Sequence, residues 1–137
     1  MTRLTTEWIC NMEKELPQWA EKLERQSKMS LLNLASLGGD VSRGRVKSAS
    51  WRLHVAVVPV TSGLGVINTF CQQVAAIIRH MGFDVFVTEA TDVSGIYEAT
   101  QKGAGLIFMA DDTYFLAMNF NKNLVVENSD ATARGFI

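Results

Sequence analysis

The chain has 137 residues, of which 47% are hydrophobic and 20% charged, and its formal net charge is -1 at pH 7. This length fits one globular domain with a real core, and the composition excludes a disordered chain. A near-neutral charge argues against a nucleic-acid partner. The lack of a long apolar run or an apolar leader argues against a membrane span or a secretory signal.

The cysteine content points to a reducing compartment. Only Cys10 and Cys71 occur, and both fall in apolar helical patterns. Such thiols are typical of buried side chains rather than of a disulfide framework. A metal site would need further ligands close to them in the sequence, and there are none. We therefore expect a cytoplasmic protein with no metal.

The N-terminal part predicts helices. Apolar residues recur at helical spacing from Thr6 to Gln26 and stay in phase across Pro17, so we expect one helix that kinks at the proline. A second short helix is predicted over Ser30–Leu37 and ends before a pair of glycines. The polar stretch Gly39–Ser50 is predicted to be a surface connection.

Strands and helices then alternate, which indicates a parallel sheet. Three apolar, β-rich runs are separated by two segments of helical periodicity. The predicted strands are Leu53–Val60, Asp84–Thr88 and Leu106–Ala110, and the predicted helices between them are Val66–Met81 and Asp92–Lys102. Right-handed crossovers would place these helices on the faces of the sheet.

The last part of the chain predicts a hairpin and the start of a helix. Tyr114–Phe120 and Leu124–Glu127 are joined by Asn121-Lys122-Asn123, a pattern typical of two antiparallel strands. Ser129 or Asp130 can cap a helix that begins there.

The predicted fold class is α/β. N-terminal helices in residues 1–50 would pack on a core in residues 51–137. That core would be a β-α-β-α-β parallel sheet with a C-terminal β-hairpin. The two parts together would form one domain.

Ligands of open parallel sheets bind beyond the carboxyl ends of the strands, and the loop after the first strand occupies that position. Gly63-Leu64-Gly65-Val66-Ile67-Asn68 nearly matches the dinucleotide fingerprint G-x-G-x-x-G, but Asn68 stands in place of the third glycine. The hydroxyls of Thr61 and Ser62, with free N–H groups at a helix start, instead suit the carboxylate of a small molecule. A purely structural glycine turn is the third interpretation.

The loop after the third strand, Asp111-Asp112-Thr113, carries paired carboxylates. They can bind an ammonium group, or one can have a raised pKa and move protons. Capping of the turn is the alternative. No nucleophilic triad is visible, so no catalytic residue is named, and His54 and His80 are interpreted as structural or solvated.

Four groups of residues between Val58 and Asn119 form an ordered set. They are Val58-Pro59-Val60-Thr61-Ser62-Gly63 with Gly65, Ile67 and Phe70; Gly82-Phe83-Asp84 with Phe86 and Thr88; Asp92-Val93-Ser94-Gly95 with Tyr97-Glu98-Ala99; and Met109-Ala110-Asp111-Asp112 with Thr113, Phe115-Leu116-Ala117 and Asn119. In order and spacing this set resembles the dehydrogenase family that synthesises pyrrolysine.

The resemblance implies an enzyme that oxidises the terminal amine of 3-methylornithyl-lysine with NAD, after which the product cyclises to pyrrolysine. It implies that this chain is the N-terminal, substrate-binding domain. A C-terminal Rossmann domain would hold NAD in the full-length enzyme. We expect that domain to be absent from this chain, so no cofactor is expected here and the chain alone should be inactive.

The resemblance also implies which residues surround the substrate, a lysine-derived dipeptide. They are Leu4, Val60, Thr61, Ser62, Phe70, Asp111 and, as its neighbour, Asp112. Asp111 would pair with an ammonium group. The expected partners are this substrate, the Rossmann domain and a second copy in a homodimer. The alternative function is a free-standing small-ligand-binding or dimerising module without catalysis.

Overall fold

The computed structural model describes residues 11–39, 42–50, 52–62 and 69–135. Within these ranges the predicted helices and strands occur in the predicted order, with one additional helix over Arg43–Ser50. They are α1 (Met12–Ser27), α2 (Leu31–Gly38), α3 (Arg43–Ser50), β1 (His54–Val58), α4 (Phe70–His80), β2 (Asp84–Val87), α5 (Asp92–Gln101), β3 (Ala104–Ala110), β4 (Phe115–Asn119), β5 (Leu124–Glu127) and α6 (Asn128–Gly135).

The strands form one open, mixed sheet in the order β2-β1-β3-β4-β5. β1 lies between β2 and β3 and is parallel to both, whereas β4 and β5 add antiparallel at one side. The predicted α/β class, with N-terminal helices, a parallel β-α-β-α-β unit and a C-terminal hairpin, is confirmed. Val58 lies opposite Met109, so β1 and β3 end at the same level of the sheet.

The core is two apolar layers, one on each face of the parallel strands. Because side chains alternate along a strand, Val55 and Val57 face α4 while Ala56 and Val58 face α5, and all are at most 2% exposed. Ile107 of β3, also fully buried, joins the layer beneath α5. Burial on both faces explains why β1 is a continuous apolar run.

Gly95 sets how closely α5 approaches β1. A Cβ atom at this position would overlap the side chain of Val58 and lie 2.7 Å from the carbonyl oxygen of Ala90. Glycine is therefore required for contact between the helix and the strand at this point.

The N-terminal helices contact both ends of the core. α1 runs unbroken through Pro17 and packs against α4, where the buried Gln73 accepts a hydrogen bond from the backbone N–H of Glu13 at 2.6 Å. α2 packs against α6, which in turn contacts β4 and β5. The helices thus connect α4 on one side to the hairpin on the other.

Two boundaries differ from the sequence prediction. Gly39–Ser50 is not simply a surface connection, because the Ser42 carbonyl accepts from Arg45 and Val46 N–H groups and begins α3. α4 begins at Phe70 rather than at Val66, because Thr69 has a φ of 93° and so cannot be helical. The stretch 63–68 lies outside the described residues. The helix predicted to start at Ser129 or Asp130 is present as α6.

Candidate functional site

The loop after β1 is tied to the start of α5. Thr61 donates twice to the Asp92 carboxylate, from its backbone N–H at 2.9 Å and from its hydroxyl at 2.6 Å. The backbone N–H of Asp92 in turn donates to the Pro59 carbonyl at 2.9 Å, and Asp92 has a φ of 53°. The Thr61 hydroxyl, followed by its N–H, lowers the pKa of Asp92. The hydroxyl proton of Thr61 is therefore used in the hydrogen bond to Asp92, and the hydroxyl oxygen of Thr61 can still accept a hydrogen bond.

Asp92 lies next to the loop after β1, and the sequence analysis did not name it as a site residue. At α5 the N-cap position is Thr91, which makes no side-chain cap hydrogen bond. The partner of Asp92 is instead 31 positions away in the chain. The sequence could have indicated Asp92 in one way only: it follows the second parallel strand, and the ends of parallel strands lie at the same edge of the sheet as Thr61.

The loop after β3 is organised by Asp111. Its Oδ1 accepts from the backbone N–H groups of Thr113 and Tyr114, both at 2.7 Å, while its own N–H donates to the Tyr114 carbonyl at 2.9 Å. These hydrogen bonds, first that from Tyr114 and then that from Thr113, lower the pKa of Asp111. The turn-capping interpretation thus holds for Oδ1, and a raised pKa at Asp111 is wrong. The exposed Asp112 is its neighbour.

Phe70 lies beside this loop. Its ring meets that of Phe115 edge to face, with centroids 5.7 Å apart, and Phe115 meets Phe108 at 6.2 Å. Phe70 begins α4, and Phe115 is the first residue after the Asp111 turn. The contact thus links the start of α4 to the strand that follows the Asp111 turn.

The register of the sheet brings the two loops to one edge. Val58 pairs with Met109, so the half-buried Val60 and Asp111 each lie two residues beyond that pair. Neighbouring strands are about 4.8 Å apart. Val60 and Asp111 therefore lie at the carboxyl-end edge of the sheet, and Phe115, which pairs with Ala110, lies there too with its partner Phe70. We call these four residues the strand-end site. Phe70 and Phe115 pack in the layer that faces α4, whereas Val58 and Met109, two residues before Val60 and Asp111, face α5. Ser62 is exposed, and Leu4 lies outside the described residues.

Comparison with known proteins identifies the family. The model for "Pyrrolysine biosynthesis protein PylD, N-terminal domain" matches residues 9–126. The chain belongs to this family. The resemblance found in the sequence is therefore confirmed, and it extends to both sides of the strand-end site.

Two curated relatives each match part of this chain. The pyrrolysine synthase of Methanosarcina barkeri is 50% identical over 78 residues, which are 57% of this chain and 30% of that protein. The pyrrolysine synthase of Methanosarcina acetivorans is 49% identical over the same shares. The matched segment thus spans about a third of the length of these relatives. Membership of the PylD N-terminal family and these relatives support a role in pyrrolysine biosynthesis.

Other candidate ligands find little support in the described part of the chain. No group of three or more His, Cys, Asp or Glu side chains there could hold a metal ion. No helix in those ranges is long and apolar enough to cross a membrane. Beside Thr61, the Asp92 carboxylate is a fixed negative charge, which is unfavourable for a pyrophosphate at that point.

Proposed function

We propose that this chain is the substrate-binding domain of an NAD-dependent dehydrogenase that oxidises 3-methylornithyl-lysine in the last step of pyrrolysine biosynthesis. The observation that carries the proposal is the strand-end site in a member of the PylD N-terminal family: a charged Asp111 carboxylate and the Phe70–Phe115 pair at the same edge of the sheet. The two relatives named pyrrolysine synthase support the same pathway.

The chemistry of the site fits an ammonium group on an apolar stem. Hydrogen bonds keep the pKa of Asp111 low, so the carboxylate is charged at neutral pH. They use Oδ1, which leaves Oδ2 to receive the ammonium. Phe70 and Val60 would pack along the methylene chain, since long cationic side chains bury their stems against apolar surface.

Thr61 would recognise the polar part of the substrate. Because its hydroxyl proton is given to Asp92, its oxygen can only accept. It would therefore select an N–H group, such as that of the amide linking the two halves of the dipeptide. The exposed Ser62 can donate or accept beside it.

NAD would supply the hydride acceptor of the reaction. The Asp92 carboxylate, hydrogen-bonded to Thr61, would disfavour a pyrophosphate beside Thr61. We therefore assign NAD to another part of the complete enzyme. Saturation-transfer NMR with NAD should show no specific contact with this chain.

Calorimetric titration with synthetic 3-methylornithyl-lysine tests the proposal. Asp111→Asn keeps an oxygen to accept from Thr113 and Tyr114 but removes the charge. It should weaken binding roughly ten- to a hundredfold, the value of a charge-assisted hydrogen bond. Asp84→Asn is the matched control, because Asp84 is exposed at the opposite end of the strands, and binding should stay within about twofold of the parent chain.

Two results would contradict this proposal. No heat and no thermal shift with the parent chain at millimolar ligand would reject substrate binding. Equal affinities for Asp111→Asn and Asp84→Asn would leave Asp111 as a turn-capping residue only.

A further inference from the structure

The segment that follows β2 remains hydrogen-bonded to the segment that follows β1. The backbone N–H of Thr88 donates to the Val57 carbonyl at 3.1 Å, and that of Asp92 donates to the Pro59 carbonyl at 2.9 Å. Main-chain contact between the two segments therefore continues beyond the strands and brings Asp92 to Thr61. The place of the Asp92 carboxylate is thus fixed by the backbone, whatever rotamer Thr61 adopts.

The backbone conformation of Asp92 restricts which residues can stand there. Its φ of 53° lies in the left-handed region, which few residues other than glycine adopt and in which aspartate and asparagine are enriched several-fold. Asparagine can therefore replace Asp92 with the same backbone, and glycine adopts this conformation without strain. These two substitutions change the side chain of Asp92 and leave the path of the chain intact.

The direction of the Thr61 hydroxyl is set by Asp92. Thr61 donates its backbone N–H to Oδ1 and its hydroxyl to Oδ2 of Asp92. These bonds lower the pKa of Asp92, so the carboxylate is ionised at neutral pH and has no proton to donate. A hydroxyl carries one proton and two lone pairs. With its proton held by Asp92, the hydroxyl offers a ligand lone pairs only.

From this geometry we propose that Asp92 is the positioning residue that decides which linkage the site accepts. By making Thr61 an acceptor only, Asp92 selects an amide whose N–H faces Thr61 and rejects an ester, whose oxygen would face the Thr61 oxygen. A site that accepts from an N–H group discriminates against the analogue without it, because its acceptor is left unpaired. The inference rests on the proposed function, which places the dipeptide against Thr61. Asp92 acts through Thr61 and does not itself touch the substrate.

Asp92→Asn changes the hydrogen bonding of Thr61 without removing it. The backbone N–H of Thr61 can only donate, so the asparagine oxygen must face it and the asparagine NH₂ must face the Thr61 hydroxyl. That hydroxyl then accepts from the new amide, and its own proton is free to donate to a ligand. In this variant Thr61 is therefore no longer limited to accepting.

Calorimetric titration with two ligands of the same shape tests the inference. The ligands are 3-methylornithyl-lysine and its analogue with an ester oxygen in place of the amide N–H, at about pH 6, where their amines are protonated and do not attack the ester. The parent chain should prefer the amide about tenfold or more. Thr61→Val removes the hydroxyl and should leave the two affinities within about twofold of each other. Asp92→Asn should lower the preference below about threefold, because the hydroxyl can now donate to the ester oxygen.

Two further variants separate selection from folding. Asp92→Gly leaves the Thr61 hydroxyl free to rotate, and the amide preference should fall as it does in Asp92→Asn. Asp84→Asn, which removes an exposed carboxylate at the opposite end of the strands, should keep the preference of the parent chain. Circular dichroism checks the fold of every variant. Amide hydrogen exchange at Thr61 should stay slow in Asp92→Asn, because the oxygen that holds its N–H is retained.

The possible failures of this inference differ from those of the proposed function. A parent chain that binds neither ligand would overturn the proposed function and this inference with it. A parent chain that binds both ligands equally would overturn this inference alone and leave substrate binding in place. An amide preference that persists in Asp92→Asn and Asp92→Gly, while both ligands bind less tightly, would show that Asp92 only holds the loop.

Discussion

The sheet has a covered half, β2, β1 and β3, and an open half, β4 and β5, and the two use equally apolar strands. Val57 in β1 is 2% exposed whereas Val125 in β5 is 59% exposed. Strand hydrophobicity does not decide the difference. The covered half has α4 on one face and α5 on the other, whereas in the described chain α6 is the helix that packs against both β4 and β5. Burial in this fold is therefore set by helix placement, and the open half retains apolar surface for contacts.

The largest expected contrast is between large-to-small substitutions in the two halves. Ile107→Ala removes a fully buried side chain and should lower the free energy of unfolding by about 2–5 kcal/mol. Val125→Ala should change it by less than about 0.5 kcal/mol in the monomer, because its side chain is mostly in water. Chemical denaturation at low protein concentration measures both. Similar losses for the two variants would mean that the open half is also covered.

A smaller effect is expected where α5 meets β1. Gly95→Ala forces a methyl group against Val58 and the Ala90 carbonyl, and overpacking of this kind costs about 1–3 kcal/mol. Gly44→Ala in α3 is the control, because nothing lies within 4 Å of its added Cβ and alanine favours a helix by about 0.5–1 kcal/mol. Denaturation curves should therefore shift in opposite directions. An unchanged Gly95→Ala curve would show that α5 can move away from the sheet freely.

The smallest effect concerns the loop that connects β2 to α5. Glu98 accepts from Lys102 at 2.7 Å and from the Ala90 N–H at 2.8 Å, and these bonds lower its pKa from 4.5 to about 2. A lowered carboxyl pKa means that the folded state gains stability above pH 4.5 and loses it as pH falls toward 2.

Thermal melts of the Glu98→Gln variant should therefore be flatter than those of the parent chain across this acid range. Lys102→Met removes the main cause of the low pKa, so its acid loss should be smaller than that of the parent chain and should be complete at a higher pH. Identical acid profiles for all three chains would assign the loss to other carboxylates.

The architecture was largely predictable because residues that become buried recur at regular spacing in the sequence. The uninterrupted apolar run over Val55–Val58 requires cover on both faces, and the alternation of strands with helices requires parallel pairing. The hairpin followed from its short polar connection. The sequence of α3 has no such spacing, because Arg43–Ser50 consists mostly of polar and small residues. The start of α3 depends on the backbone carbonyl of Ser42, which no side-chain pattern shows.

The site was predictable in position but not in chemistry. The rule for strand ends places Thr61 and Asp111 at one edge of the sheet. It does not show that Asp92 takes the Thr61 proton, because that contact depends on a φ of 53° at Asp92. It does not show the direction of the Asp111 pKa either, which is set by how the turn aims the Thr113 and Tyr114 N–H groups.

The buried Gln73 has a consequence for how the N-terminal helix and the strand-end site communicate. Its side-chain oxygen holds the Glu13 N–H, and it lies one turn along α4 from Phe70. A rotation of α4 that changes the Phe70–Phe115 contact should therefore either carry α1 with it or strain this part-buried hydrogen bond. We therefore expect the hydrogen-exchange rate of the Glu13 amide, which lies outside the site, to change when the Phe70–Phe115 contact changes.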